Sequence, residues 1–137
     1  MADKKSLTFV LMDPPFENPR TTTALRLIDL AVRRGHDVNV FAYEGAVYVA
    51  FAKQTPHANA VHGRDVEQED HPIPKDWVAA ILAEGVKSGS KIDWVQCGLC
   101  VDERGAGECV EGPRRGSPAD LLKFAETSDN TLVIPTK

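Results

Sequence analysis

The sequence predicts a single α/β domain of three layers over residues 1–137, with a mostly parallel sheet of four to five strands. Apolar runs of strand length alternate along the chain with segments whose apolar residues recur at helical spacing, which is typical of layered α/β proteins. The first 43 residues read as strand, helix and strand, and such a unit joins two parallel strands by a right-handed crossover. The chain has no internal repeat or linker, so one domain is expected.

The first strand–helix–strand unit carries the clearest local signals. Residues 7–12 form a nearly continuous apolar run, which is typical of a strand buried on both faces. Asn18 followed by Pro19 predicts a helix start, since asparagine caps the first turn and proline fits its first position. Gly35 predicts the end of this helix, and residues 37–43 form the second strand.

The middle of the chain is less regular. Residues 46–52 are short and apolar nearly all round, which indicates a buried helical segment or part of an oligomer interface. Residues 53–74 show no periodicity and contain His57, His62 and His71. This stretch lacks the apolar area needed to offset the entropy of ordering, so we expect a mobile surface loop.

The second half returns to alternating elements. They are, in chain order, a helix over 76–88, a strand over 91–96, a loop over 106–116, a helix that begins after Ser117 and a strand over 131–134. The 106–116 segment is rich in glycine and charge, and we interpret its Arg114 and Arg115 as part of a solvated loop.

Composition limits the possible partners. The chain is 42% hydrophobic and 26% charged, with a formal net charge of −4, which argues against direct nucleic-acid binding because that requires excess Lys and Arg. No apolar run has the length of a membrane span, and the N-terminal segment lacks the apolar region of a signal peptide. We therefore expect a cytoplasmic protein without membrane contacts.

All three cysteines lie close together in the sequence, at Cys97, Cys100 and Cys109. Cys97 directly follows a predicted strand, and reacting groups collect at the carboxyl ends of parallel strands. A helix starting just after Cys97, together with the charge of Arg104, would favour its thiolate. Asp13 follows the first strand and would line the same edge, although a turn residue explains it equally well.

Three other interpretations of the cysteines stay open at this point. A buried cysteine can act as a small hydrophobic residue. Zinc is a second interpretation, with Cys97, Cys100 and Cys109 as thiolate ligands and a histidine from the 57–71 stretch as the fourth, although the second paired motif of most structural zinc sites is absent. A thioredoxin-type dithiol is the third, but here the Cys-x-x-Cys motif follows the third predicted strand and not the first.

Several segments in order resemble the DsrE/DsrF/TusD group of sulfur-relay proteins. They are Thr-Ala-Leu at 23–25, the strand and turn at 40–48, and the closing Ser-Asp-Asn-Thr-Leu-Val-Ile at 128–134. The most specific feature is a cysteine at a strand end with Arg-Gly at the seventh and eighth positions after it, which Cys97, Arg104 and Gly105 satisfy. The resemblance runs from residue 7 to residue 134.

The resemblance implies a flavodoxin-like fold that assembles as trimers or hexamers, and a sulfurtransferase-like carrier. Cys97 would hold a persulfide, exchange sulfur with donor and acceptor proteins, and need no metal or organic cofactor, while Arg104 and Gly105 would line its site. Cys100 departs from the family pattern, and we hypothesise that it resolves a persulfide on Cys97. The alternative is a non-catalytic oligomeric or zinc-binding protein that uses Cys97, Cys100 and Cys109.

Overall fold

The computed structural model describes residues 3–59 and 63–136, and its centre is a five-stranded, fully parallel sheet. The strands are β1 (Ser6–Leu11), β2 (Asp37–Ala42), β3 (Ile92–Cys97), β4 (Arg114–Gly116) and β5 (Asn130–Ile134), in the spatial order β4-β3-β2-β1-β5. The helices are α1 (Pro19–Arg33), α2 (Pro74–Ser88), α3 (Gly98–Arg104) and α4 (Pro118–Thr127). The predicted three-layer α/β class is therefore confirmed.

The main core lies between the sheet and the helices α1 and α2. In the parallel register Phe9 is opposite Val40 and Val40 is opposite Trp94, so these side chains point to the same face. All three are buried, together with residues from both helices that recur every three or four positions: Leu25, Ile28, Val32, Val78 and Ile81. This face accounts for the largest cluster of buried apolar side chains in the described chain.

The opposite face of the sheet is covered by α4, whose buried residue is Phe124. Phe124 packs with Phe41 and Val95 from the sheet. Leu122 on the same helix is 62% exposed, because successive positions turn by about 100° and carry its side chain away from that of Phe124. This second core is correspondingly small.

The predicted starts of α1 and α4 are confirmed by their capping bonds, whereas α2 begins at Pro74, before the predicted residue 76, and has no side-chain cap. The side chain of Asn18 accepts a hydrogen bond from the backbone N–H of Arg20 at 2.8 Å. Ser117 and Asp120 form a reciprocal capping box, in which the N–H of Ser117 donates to the Asp120 carboxylate.

None of the helices in the described ranges has the length and apolarity needed to cross a membrane.

The prediction of a loop over 106–116 is wrong at its end. Residues 114–116 form β4, which pairs in parallel with Val95, Gln96 and Cys97. The strand is short, lies at the sheet edge and buries no side chain, so it leaves no hydrophobic pattern in the sequence. Arg114 and Arg115 are therefore strand residues with fixed partners.

A 3-10 helix, Glu44–Tyr48, buries Ala46 and Val47, so the buried helical segment predicted over 46–52 is confirmed for residues 46–48. Val49 and Ala50 are buried in the turn that follows. The described part of 53–74 has a short 3-10 helix, Val66–Gln68, and is otherwise irregular. His57 and His71 contact the body of the domain, since the His57 ring lies 4.3 Å from that of Phe16 and the His71 ring stacks on Trp77. The mobility of this segment and the assembly into trimers or hexamers stay predictions, and His62 lies outside the described residues.

Substitution of two leucines on α1 tests the main core. Leu25→Ala is expected to lower the free energy of unfolding by about 3 kcal/mol, since Leu25 is fully packed and its removal leaves a cavity. Leu30→Ala on the same helix is the control, because Leu30 is 52% exposed, and its effect should stay within about 0.5 kcal/mol. Urea unfolding measures both, and equal losses would contradict this arrangement.

Candidate functional site

The candidate site lies where β2 and β3 end side by side. Ala42, the last residue of β2, is opposite Gln96 of β3, so the residues that follow each strand meet at one edge of the sheet. Cys97 ends β3, and α3 begins at the next residue. The turn after β2 contributes Tyr43 and Glu44 to the same place. The position predicted for the reacting thiol is thus formed by the carboxyl ends of two neighbouring strands.

Cys97 is buried, with an exposed fraction of 6%. Its position on the pleat directs it to the α4 face, where it packs with Phe41, Val95 and Phe124. Thiol exchange depends on access to the attacking sulfur, whereas the structure encloses Cys97 in apolar side chains. Cys100 lies one helical turn further, is partly exposed and packs against the same cluster.

The surroundings of Cys100 favour its neutral form. Burial raises the pKa of the Cys100 thiol, the N–H of Glu44 opposes this rise by donating to Sγ at 3.1 Å, and a hydrogen bond with Cys97 adds to it. Glu44 holds a φ of 52°, the left-handed region that is strained for residues other than glycine. The residue that supports the sulfur is therefore itself held in an unfavourable backbone conformation by its surroundings.

A cavity of about 600 Å³ opens beside this turn, and its walls include Asp13, Tyr43, Glu44, Tyr48 and Arg104. The guanidinium of Arg104 binds the Glu44 carboxylate at 3.2 Å, and the hydroxyl of Tyr48 donates to the backbone carbonyl of Arg104. Arg104 and Asp13 thus line one cavity, which adjoins Cys100 through Glu44. The structure brings four of the predicted site residues to the same edge of the sheet.

Two of the predicted site residues, Asp13 and Gly105, also stabilise the local backbone conformation. The Asp13 carboxylate accepts hydrogen bonds from the side chains of Asn18 and Arg20, both at 2.9 Å, and so closes the turn between β1 and α1. Gly105 ends α3 with a φ of 63°, a left-handed conformation that glycine adopts without strain. Asp13 nevertheless faces the cavity, whereas Gly105 ends the helix that carries Cys100.

Cys109 lies apart from the other two thiols. It forms an isolated bridge with Phe51 and packs against the main core, whereas Cys97 and Cys100 belong to the α4 side. Within residues 3–59 and 63–136 the one group of three potential metal ligands is Glu69, Asp70 and His71, which includes no cysteine. A zinc site built from all three cysteines therefore has no support in this arrangement.

Two residues at the site were missed by sequence reasoning. Glu44 was assigned no part in the site, although its N–H reaches Cys100. Arg115 was assigned to a loop, although its guanidinium lies against Gly98, the residue after Cys97. Neither contact follows from sequence spacing, since α2 and β3 lie between Glu44 and Cys100, and most of α3 and a loop lie between Gly98 and Arg115.

One family model matches nearly the whole chain. The model of the DsrE/DsrF-like family matches residues 5–134. The uncharacterized protein MJ0989 of Methanocaldococcus jannaschii is 28% identical over 127 residues, which cover 91% of this chain and 96% of that protein. The uncharacterized protein MK0008 of Methanopyrus kandleri is 25% identical over 128 residues, covering 92% and 91% of the two chains.

Solved structures show the same fold. The YchN protein from E. coli superposes with a TM-score of 0.73 at 16% identity, covering 96% of this chain and 99% of its own. BT1422 from Bacteroides thetaiotaomicron, a conserved protein of unknown function, gives a TM-score of 0.57 at 14% identity and covers 94% of each chain. At these identities the likeness concerns the fold, and the flavodoxin-like α/β architecture expected from the sequence is confirmed.

The interaction between the two thiols predicts a pH effect. Cys97→Ala removes a hydrogen bond and a charge that both raise the pKa of Cys100, so the alkylation profile of Cys100 should move to lower pH. Alkylation rates followed by peptide mass spectrometry over a pH series measure this shift. Cys109→Ala is the control and should leave the profile in place, and a Cys97→Ala profile that stays or moves to higher pH would contradict the interaction.

Proposed function

The chain belongs to the DsrE/DsrF-like family, and on this premise we propose that it carries a persulfide on Cys97 and passes the outer sulfur to a partner thiol. Membership of the family indicates a sulfur-relay function in general. The observation that carries the finer proposal is the pair of interacting thiols, Cys97 and Cys100, at the carboxyl end of β3. Reacting groups of open parallel sheets gather at this edge.

The transfer consists of two thiol exchange steps. The Cys97 thiolate attacks the outer sulfur of a persulfide on a donor protein, a new S–S bond forms, and the donor thiolate leaves. An acceptor thiolate then attacks the outer sulfur held on Cys97, and the Cys97 thiolate leaves. Each step breaks one S–S bond and forms another, so the relay requires no external oxidant or reductant. Its partners are a donor and an acceptor protein.

The burial of Cys97 fits a carrier that retains its sulfur between partners. Phe41 and Phe124 cover the thiol on the α4 side and limit access by water and small thiols. The approach for a partner lies at α3, where Cys100 is partly exposed and the adjacent Leu99 is 70% exposed. We propose that the partner thiol reaches Cys97 from this side.

Replacement of Cys97 tests the carrier role. After incubation with a protein persulfide donor, wild type should gain the mass of one sulfur atom, and Cys97→Ser should gain none because the accepting thiolate is gone. Cys109→Ser is the matched control, since Cys109 packs in the other cluster, and it should load like wild type. Intact-mass spectrometry reads all three proteins, and loading that survives Cys97→Ser would move the carrier thiol elsewhere.

Cys100 provides a second reaction for the persulfide on Cys97. In this step Cys100 attacks the inner sulfur of the Cys97 persulfide, the S–S bond to the outer sulfur breaks, and a Cys97–Cys100 disulfide forms while hydrosulfide leaves. The raised pKa of Cys100 keeps this reaction slow near neutral pH, because the thiolate is the nucleophile. Resolution should therefore accelerate as the pH rises.

Cys100→Ser is expected to lengthen the lifetime of the Cys97 persulfide and to reduce sulfide release, since hydroxyl replaces the resolving thiol. Intact mass over time gives the lifetime, and a colorimetric sulfide assay gives the release. The wild-type protein should also lose two hydrogens in mass as its disulfide forms. An unchanged lifetime and unchanged sulfide release in Cys100→Ser would refute the resolving role while leaving the carrier role of Cys97 intact.

A further inference from the structure

The edge strand β4 brings a second arginine to the thiol site. Gln96 is opposite Arg115 in the register, and Cys97 is opposite Gly116, so the backbone of β4 runs alongside the end of β3. The guanidinium of Arg115 donates from Nη1 and Nη2 to the two carboxylate oxygens of Asp102 at 2.8 and 2.7 Å. Two parallel bonds of this kind fix the plane of the guanidinium as well as its position.

Gly98 makes room for this guanidinium. A Cβ atom on Gly98 would lie 2.7 Å from Nε and 2.8 Å from Cζ of Arg115, closer than side-chain atoms pack. The charged group therefore lies directly against the residue that follows Cys97. The hydrogen bond to Asp102 raises the pKa of Arg115 most strongly, the negative charge of Asp102 adds to the rise, and charge on Cys97 contributes in the same direction.

Arg104, the arginine at the family spacing, is engaged elsewhere. Its guanidinium binds Glu44 on the cavity side of α3. Arg115 instead has its Nη groups on Asp102 and its Nε toward Gly98, so its charge is directed to the beginning of α3. Of these two arginines, Arg115 is thus the one held against the backbone next to Cys97.

We propose that Arg115 is a positioning residue of the sulfur site, held by Asp102 across Gly98 so that its charge stabilises the anionic sulfur on Cys97. The inference rests on the proposed function where it concerns the persulfide anion. For the thiolate it stands independently, because thiolate formation precedes any contact with a donor. A sulfur that is buried among apolar side chains has little help from water, so a fixed positive charge nearby favours its anionic form.

The test uses a protein in which Cys97 is the only cysteine, made by Cys100→Ser and Cys109→Ser. Ultraviolet absorbance of the thiolate and the alkylation rate are followed through a pH titration without any sulfur donor. Arg115→Met should move both profiles to higher pH and slow alkylation at neutral pH roughly three- to tenfold, because one nearby positive charge is lost. Arg115→Lys, which keeps the charge without the two-pronged bond, should restore part of the rate.

Arg114→Met is the matched control. Arg114 is the neighbouring residue on β4 and binds Asp93 and Asp120, so its loss loosens the strand while leaving the charge of Arg115 in place. The proposal is overturned if Arg115→Met leaves the pH profiles unchanged, or if Arg114→Met shifts them equally. Failure of wild type to load sulfur would refute the persulfide carrier, and it would leave this measurement on the thiol unaffected.

Discussion

The parallel pairing of β2 with β3 is the constraint on which the site depends. It aligns the two strand ends, so the turn after β2 lies against the start of α3. Only in this register does the N–H of Glu44 meet Cys100, and only then does the Glu44 carboxylate meet Arg104. A slip of two residues would move the strands by nearly 7 Å and separate each of these pairs. The core on the α1 and α2 face opposes such a slip, because Phe9, Val40 and Trp94 would lose their alignment across the sheet.

Burial and sulfur transfer favour opposite protonation states of a cysteine thiol. An apolar environment favours the neutral thiol, as the raised pKa of Cys100 shows, whereas sulfur transfer requires the anion. In the proposed carrier, fixed donors and charge would oppose this effect of burial. The Glu44 amide donates to Cys100, and the guanidinium of Arg115 is held against Gly98 on the other side of the pair. Both groups belong to segments outside α3, so the environment of the thiols is set by tertiary structure.

The sequence was sufficient where local chemistry decides the structure. The apolar run of β1, the Asn18 cap of α1 and the Ser117 capping box of α4 each use residues close together in the chain, and all three predictions are confirmed. The placement of Cys97 at a strand end also followed from a local pattern. The strand β4 lacked any such signal, since its residues are charged and it is held by pairing with β3 and by ion pairs of Arg114 with Asp93 and Asp120. The residues that hold β4 lie on other elements, so no pattern of neighbouring residues in the sequence indicates this strand.

The same reasoning explains why Arg115 was not considered from the sequence. Arg104 follows Cys97 by seven residues, which on a helix is close to two full turns, so its Cα lies on the same side but about 10 Å further along the axis. At that distance its long side chain meets Glu44 on the cavity side. A charge against the first residue of α3 must therefore come from another element, and β4 is the strand that pairs with the end of β3. The glycine at position 98 leaves space for the guanidinium there, and only the tertiary structure reveals which side chain fills that space.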